Sequence, residues 1–363
     1  MKKILFYLGL PIFLLLFTSL SSIAQKKAVI AYYAGSLQKL DSFDARNFTH
    51  IIYCFGHLQG DQLKLRGAND TAIIQKMVSM KSQNKDLKVL LSLGGWGGCE
   101  PCSDVFSTAE GRDNFSKSIK SLTDYFGTDG IDLDWEYPAI SGYPNHKFTP
   151  EDKPNFTELV KSLRKKLGKK MTITFAAGGF QKFANDAVNW SDIMPYVNYV
   201  NLMTYDLVGG YSTTTGHHSA LFSTSKQKES ADNCIQYLLS LGVPAKKLII
   251  GAAFYARTWE GVIDQNNGLY QSGKFKHFIG YNEFPNRISE NTGYKFYWDN
   301  EAQAPYAYNA TEKSYATFDD KESIKAKSNY VLKHKLGGIM FWQLSHDYSK
   351  NGLVETINTT FKK

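Results

Sequence analysis

The chain has 363 residues, 42 Lys plus Arg against 34 Asp plus Glu, and a formal charge of +8. A hydrophobic fraction of 43% with 14% aromatics supports a large core and excludes a disordered chain. The basic surplus is scattered; its one cluster, 161–170, reads as a helix end and its loop, so no nucleic-acid partner is expected.

Lys2 and Lys3 precede an apolar run at 4–17, broken by Gly9 and Pro11, and Ser22-Ile23-Ala24 is a small-x-small cleavage motif. Residues 1–24 therefore read as a secretory signal peptide, with the mature chain starting at Gln25. The run is short of the roughly 20 residues a spanning helix needs, and no Cys follows the motif. A secreted protein, extracellular or periplasmic, is expected, with no stable membrane anchor and as a monomer.

Beyond the signal, apolar strands are predicted at 28–34, 50–55, 88–93, 129–136, 171–177, 199–203, 248–253 and 338–343. Helical spacing separates most of them. Ile73, Ile74, Met77 and Val78 mark a helix at 71–81, and Phe115, Ile119, Leu122 and Phe126 mark one at 109–126. Phe156, Leu159, Val160 and Leu163 form the stripe of a third at 151–167, and shorter helices are expected near 192–196, 229–241 and 320–334. Such alternation argues for parallel strands with crossover helices. No Gly-x-Gly-x-x-Gly loop follows a strand, so an α/β fold of the closed (β/α)8 TIM barrel type is favoured over an open doubly wound sheet.

The barrel occupies 25–258 and 316–363. Residues 259–315 read as a small α+β insertion between strands seven and eight; Trp259, Tyr270, Phe275, Phe278, Tyr281, Phe284, Tyr294 and Trp298 are too many aromatics for a disordered loop.

The fourth strand is the most informative. In Asp129-Gly-Ile-Asp-Leu-Asp-Trp-Glu-Tyr-Pro138, a period of two sets Ile131, Leu133 and Trp135 on one face and Asp132, Asp134 and Glu136 on the other. Three carboxyls in a row repel one another and resist burial. They mark either a solvated acidic edge or a barrel strand delivering acids to a site.

Cysteines say less. Cys99 and Cys102 form a C-x-x-C with no second pair to complete a zinc site, and a local disulfide suits an exported chain. Cys54, in an apolar strand, reads as a buried thiol. His217-His218 point apart as neighbours, and hydrogen bonding in a loop is the better reading than metal ligation. No metal and no cofactor are expected.

Chemistry in such barrels gathers at the C-terminal strand ends. Those ends carry Tyr32, Phe55, Ser92 to Trp96, the acidic strand, Met203-Thr-Tyr-Asp206, Phe254-Tyr-Ala-Arg257 and Trp342. No Ser stands on a Gly-x-Ser-x-Gly elbow. Acids among aromatic platforms point to glycoside hydrolysis.

From 27 to 347 the chain resembles the chitinases of glycoside hydrolase family 18. Asp129, Asp132, Asp134 and Glu136 fill the D-x-x-D-x-D-x-E signature, Ser92 to Gly95 the S-x-G-G motif, and Met203 to Asp206 the M-x-Y-D motif. Gly251 to Arg257 matches G-x-x-x-Y-x-R, and Trp342 is the final-strand Trp.

The resemblance implies hydrolysis of chitin or N-acetylglucosamine oligosaccharides with retention, the substrate's own N-acetyl carbonyl attacking the anomeric carbon. Glu136 would be the acid and later the base, its pKa raised by the charge of Asp134. Asp134 would position it, and Asp132, held by Tyr32 and Ser92, would share a proton with Asp134. Tyr205 would orient the acetamido group. Phe55, Gly95, Trp96, Met203, Asp206, Tyr211, Tyr255, Arg257 and Trp342 would bind sugars along with Tyr32 and Ser92.

Two departures stand out: Tyr211 where many relatives carry Trp, and Ala34-Gly-Ser-Leu without their Trp after the first strand. An endo-β-N-acetylglucosaminidase is the second reading, opposed by Trp135 and the insertion. A non-catalytic lectin is the third, opposed by the retained Glu136.

Overall fold

Eight strands close into a parallel barrel because β1 (Ala28–Tyr33) pairs on one side with β2 (His50–Gln59) and on the other with β14 (Gly338–Trp342). The computed structural model describes residues 26–362; the signal peptide expected at 1–24 and its junction at Gln25 lie outside the described residues. A short β3 (Gln62–Lys64) folds back on β2. The circuit then runs through β4 (Lys88–Gly94), β5 (Gly130–Asp134), β6 (Thr172–Gly178), β7 (Tyr199–Met203) and β8 (Leu248–Ala253) to β14.

Both faces of these strands are buried, which is why they read as continuous apolar runs. Val29, Ile51, Leu91, Ile131, Leu133 and Phe175 point outward, into one cluster with the helices. Ile30, Ile52, Leu90, Ala176, Ile249 and Met340 fill the barrel. The helix Ala109–Phe126 shows the local logic: the Thr108 side chain accepts from the Gly111 N–H at its start, and Gly127, at φ 71°, ends it in the left-handed conformation.

Between β8 and β14 lies a second, antiparallel sheet. It comprises β9 (Tyr255–Glu260), β10 (Lys274–Gly280), β11 (Lys295–Asp299), β12 (Ala304–Asn309) and β13 (Ser314–Thr317), in the order β10-β9-β13-β12-β11. It is wider than the 259–315 read from sequence. The barrel strand stops at Ala253, and Phe254 donates its N–H to the Trp342 carbonyl at 2.8 Å. Tyr255 and Arg257 therefore belong to the second sheet and not to the end of a barrel strand; no Gly or Pro marks the break. Further elements escaped the sequence reading, among them the β2–β3 hairpin and the helices Gln181–Asp186 and Leu353–Phe361.

Cys99 and Cys102 are joined in a disulfide with Cα atoms 5.3 Å apart. Cys54 is half-buried and packs against the inner cluster at the barrel mouth, where the sequence led to an expectation of full burial. Among the described residues no helix is long and apolar enough to cross a membrane.

Candidate active site

The period-two pattern of β5 holds in space. Ile131, Leu133 and Trp135 face the helices, while Asp132, Asp134 and Glu136 are buried at 0%, 4% and 9% exposure. Four donors from four strands surround Asp132. Its Oδ2 accepts from the Tyr32 hydroxyl at 3.1 Å and Ser92 Oγ at 2.9 Å, and its Oδ1 from Thr174 Oγ1 at 2.6 Å and Asn201 Nδ2 at 3.1 Å. Burial raises its pKa, and these hydrogen bonds pull against that rise. Thr174 and Asn201 were not singled out from sequence; each is an inward polar residue on an apolar strand.

Asp134 follows Asp132 on the same buried face of the strand. Its Oδ1 is buried without a hydrogen-bond partner among the described residues. Burial, then the charges of Glu136 and Asp132, raise its pKa well above the ordinary carboxyl value. Glu136 is pushed up to about 7, by burial first and by the charge of Asp206 in addition. The two neighbouring carboxyls disfavour each other's ionisation, so they titrate as a pair. A carboxyl raised to about 7 can hold a proton near neutral pH, as general acid catalysis requires.

Tyr205 projects from the end of β7 with its hydroxyl 3.8 Å from Met340 Sδ. Thioether sulfur is a weak acceptor, so the hydroxyl is available to a better one. Asp206, at φ 58°, turns away to an ion cluster. It accepts from the Tyr255 hydroxyl at 2.6 Å and from Arg257 Nη2 at 2.6 Å, with His218 Nδ1 at 3.4 Å. Burial alone would raise the Asp206 carboxyl, but Arg257's hydrogen bonds and charge outweigh it and hold it well below the usual range. His218 escaped the sequence reading as a site residue. The two adjacent histidines serve different carboxylates, His217 meeting Asp299 at 2.9 Å.

Aromatic rings build the floor and rim. Trp342 stacks on Phe55 with centroids 5.7 Å apart and planes 15° from parallel, and it meets Tyr32 at 6.2 Å. Trp96 and Tyr211 are exposed and touch one another at 6.5 Å. Gly95 packs under Phe55, where a Cβ would lie 2.5 Å from the ring, and its amide bonds the Asp134 carbonyl at 2.9 Å. Met203 is buried in the inner cluster.

A parallel barrel with a buried acid of raised pKa just past its fourth strand, and with aromatic rings, Trp342 among them, at the other strand ends, has the frame of a glycoside hydrolase. The family model described as glycosyl hydrolases family 18 matches residues 28–347, and the chain belongs to that family. Chitinase A1 of Niallia circulans is 34% identical over 302 residues, covering 76% of this chain and 43% of that protein; this chain thus spans less than half of that relative. Chitotriosidase-1 of Mus musculus is 31% identical over 82% of this chain and 67% of its own length. Among solved structures, a family 18 N-acetylglucosaminidase from Paenibacillus barengoltzii superposes with a TM-score of 0.83 at 32% identity, covering 92% of this chain and 99% of that one. An Ostrinia furnacalis Group IV chitinase, solved in complex with allosamidin, gives a TM-score of 0.82 at 26% identity over 92% and 98% of the two chains.

Proposed function

We propose that the protein is an exported chitinase that hydrolyses β-1,4 bonds between N-acetylglucosamine units with retention, acting as a monomer without a membrane anchor. The observation that carries the reading is Glu136, buried and raised to about 7, beside the unpartnered Asp134 oxygen and the free-standing Tyr205 hydroxyl. Two carboxyls on one strand cannot flank a bond in the usual nucleophile and acid arrangement, and family 18 is a recognised exception to that scheme.

The Glu136 carboxyl gives its proton to the glycosidic oxygen as the acetamido carbonyl oxygen bonds to the anomeric carbon and the C–O bond breaks. Asp134 takes the acetamido N–H at its open oxygen, and Tyr205 donates to the carbonyl, fixing the angle of attack. The Glu136 carboxylate then removes a proton from water, which adds to the anomeric carbon and reopens the oxazolinium ring. Trp342 is the platform for the reacting sugar. Asp206, Arg257, Tyr255, Trp96 and Tyr211 line the neighbouring subsites.

Glu136→Gln should lower the turnover of a fluorogenic chitobioside by at least about a thousandfold, an acid and base role being worth roughly 100- to 10,000-fold per step, while oligomer binding persists. Residual turnover near the parent rate would sink the assignment. Export rests on the sequence at 1–24; N-terminal sequencing of the secreted protein should begin at Gln25. A second reading follows from the likeness to the P. barengoltzii N-acetylglucosaminidase: release of single sugars from chain ends. The time course of products from chitin hexamer separates the two, since monomer as the sole first product would favour the latter.

A further inference from the structure

The chain leaving β5 turns at once into a loop, 137–150, that the mechanism does not use. It is built against the acid itself. Tyr143 donates its N–H to the Glu136 carbonyl at 3.4 Å, and Gly142 lies so close that a Cβ there would be 2.1 Å from the same oxygen. Buried Asp152 closes the loop, accepting from the N–H groups of Thr149 at 2.8 Å and Ala139 at 3.4 Å.

The same Asp152 accepts from Ser103 Oγ at 2.8 Å, in the helix Cys102–Phe106 that follows the disulfide. Lys147 pairs with Asp104 of that helix. The loop after β5 and the disulfide-closed loop after β4, which carries Trp96, are therefore braced as one piece. Where they meet, three rings stand in water: Trp96 is 49% exposed, Tyr143 40% and Tyr211 75%. Tyr143 meets Trp96 edge to face at 5.6 Å and 71°, and Trp96 meets Tyr211 at 6.5 Å. Gly97 at φ 81° brings its backbone onto the Tyr143 ring, 3.0 Å from where a Cβ would stand.

Isolated exposed rings are ordinary; three linked through Trp96, Tyr143 on a loop held by buried hydrogen bonds, form an apolar patch that water solvates poorly. Edge-to-face packing leaves ring faces free for the axial C–H face of a pyranose. The Tyr143 hydroxyl makes no hydrogen bond among the described residues, so the ring is not there to anchor the loop through its oxygen.

We propose that Tyr143 is a specificity-determining contact for the departing sugar. Its ring, carried on the backbone of the proton donor, completes with Trp96 and Tyr211 a platform on which the N-acetylglucosamine units on the leaving side stack. The inference rests on the chitinase reading above.

The test compares Tyr143→Ala and Tyr143→Phe on two substrates. Chitin tetramer to hexamer needs the leaving side, whereas chitobiose oxazoline carries no leaving sugar. Tyr143→Ala should lose about five- to tenfold in kcat/KM on the oligomers, the scale of one aromatic stack, and should redistribute the products of the hexamer. Its hydrolysis of the oxazoline and its pH profile should match the parent, and Tyr143→Phe should behave as the parent on both substrates. An unaltered product distribution in Tyr143→Ala overturns the proposal, as does an equal loss on both substrates, which would make Tyr143 a support for Glu136. A parent protein that turns over neither substrate would instead overturn the chitinase reading itself.

Discussion

At the scale of single residues, the acidity of Glu136 is set by its burial and by the carboxyls around it. Burial raises its pKa first, and Asp206, held ionised by Arg257, stands as a fixed negative charge near it. An anion nearby disfavours ionisation of Glu136 and raises its pKa. Removing it lowers that pKa, and the unpaired Arg257 cation pushes the same way. Asp206→Asn should therefore move the alkaline limb of kcat/KM, near pH 7 in the parent, to lower pH. Asp134→Asn should cut kcat by about a hundredfold or more through lost positioning and, by removing a carboxyl that disfavours ionisation of Glu136, should also move that limb to lower pH. Profiles of kcat/KM against pH for both variants on a fluorogenic chitobioside check this; a limb that Asp206→Asn leaves in place would contradict the role of that charge.

Among elements, the second sheet acts as a brace for the chain after β7. Trp259 Nε1 donates to the Ser212 carbonyl at 2.9 Å, the Tyr315 hydroxyl to that of Gly216 at 3.1 Å, and Thr215 N to Gln271 O at 2.8 Å. His217, fully buried, meets Asp299 at 2.9 Å across the same seam. The hydrogen bond from His217, despite burial, lowers the Asp299 pKa from its ordinary 3.8. A depressed carboxyl stabilises the fold above its unfolded pKa, and that contribution is lost as pH falls through the lower, folded value. Asp299→Ala should cost about 1–3 kcal/mol at pH 7 by leaving the imidazole without a partner. In urea titrations the gap between variant and parent should narrow below about pH 3.8; a gap that widens there would contradict the linkage. This seam also shows what sequence could and could not disclose. Met203 to Asp206 and the acidic face of β5 were legible because strand period and motif spacing are local. The start of β9 at Tyr255, the donors Thr174 and Asn201, and the rim ring Tyr143 were not, because each is defined by a partner far along the chain.

The whole molecule turns on the place where barrel, loop and second sheet converge behind the site. Asp319, just past β13, and Lys327, in the helix leading to β14, form a fully buried ion pair at 2.6 Å. The same carboxylate accepts from Ala253 N at the end of β8 at 2.9 Å, from Ser219 Oγ in the loop after β7 at 2.8 Å, and from Ser323 Oγ at 2.8 Å. Three segments thus meet on the Asp319 side chain, and burial lowers the Lys327 pKa against the pull of Asp319. A buried pair adds little over a well-packed apolar substitute, but breaking it strands a charge. Lys327→Met should lower stability by about 3–5 kcal/mol, seen as a reduced urea midpoint at pH 7. The double variant Asp319→Leu/Lys327→Met should regain part of that loss, since no charge is left unpaired, and part should stay lost with the acceptor of Ala253 and Ser323. A single variant as stable as the parent would mean that the pair is not what locks the second sheet to the barrel.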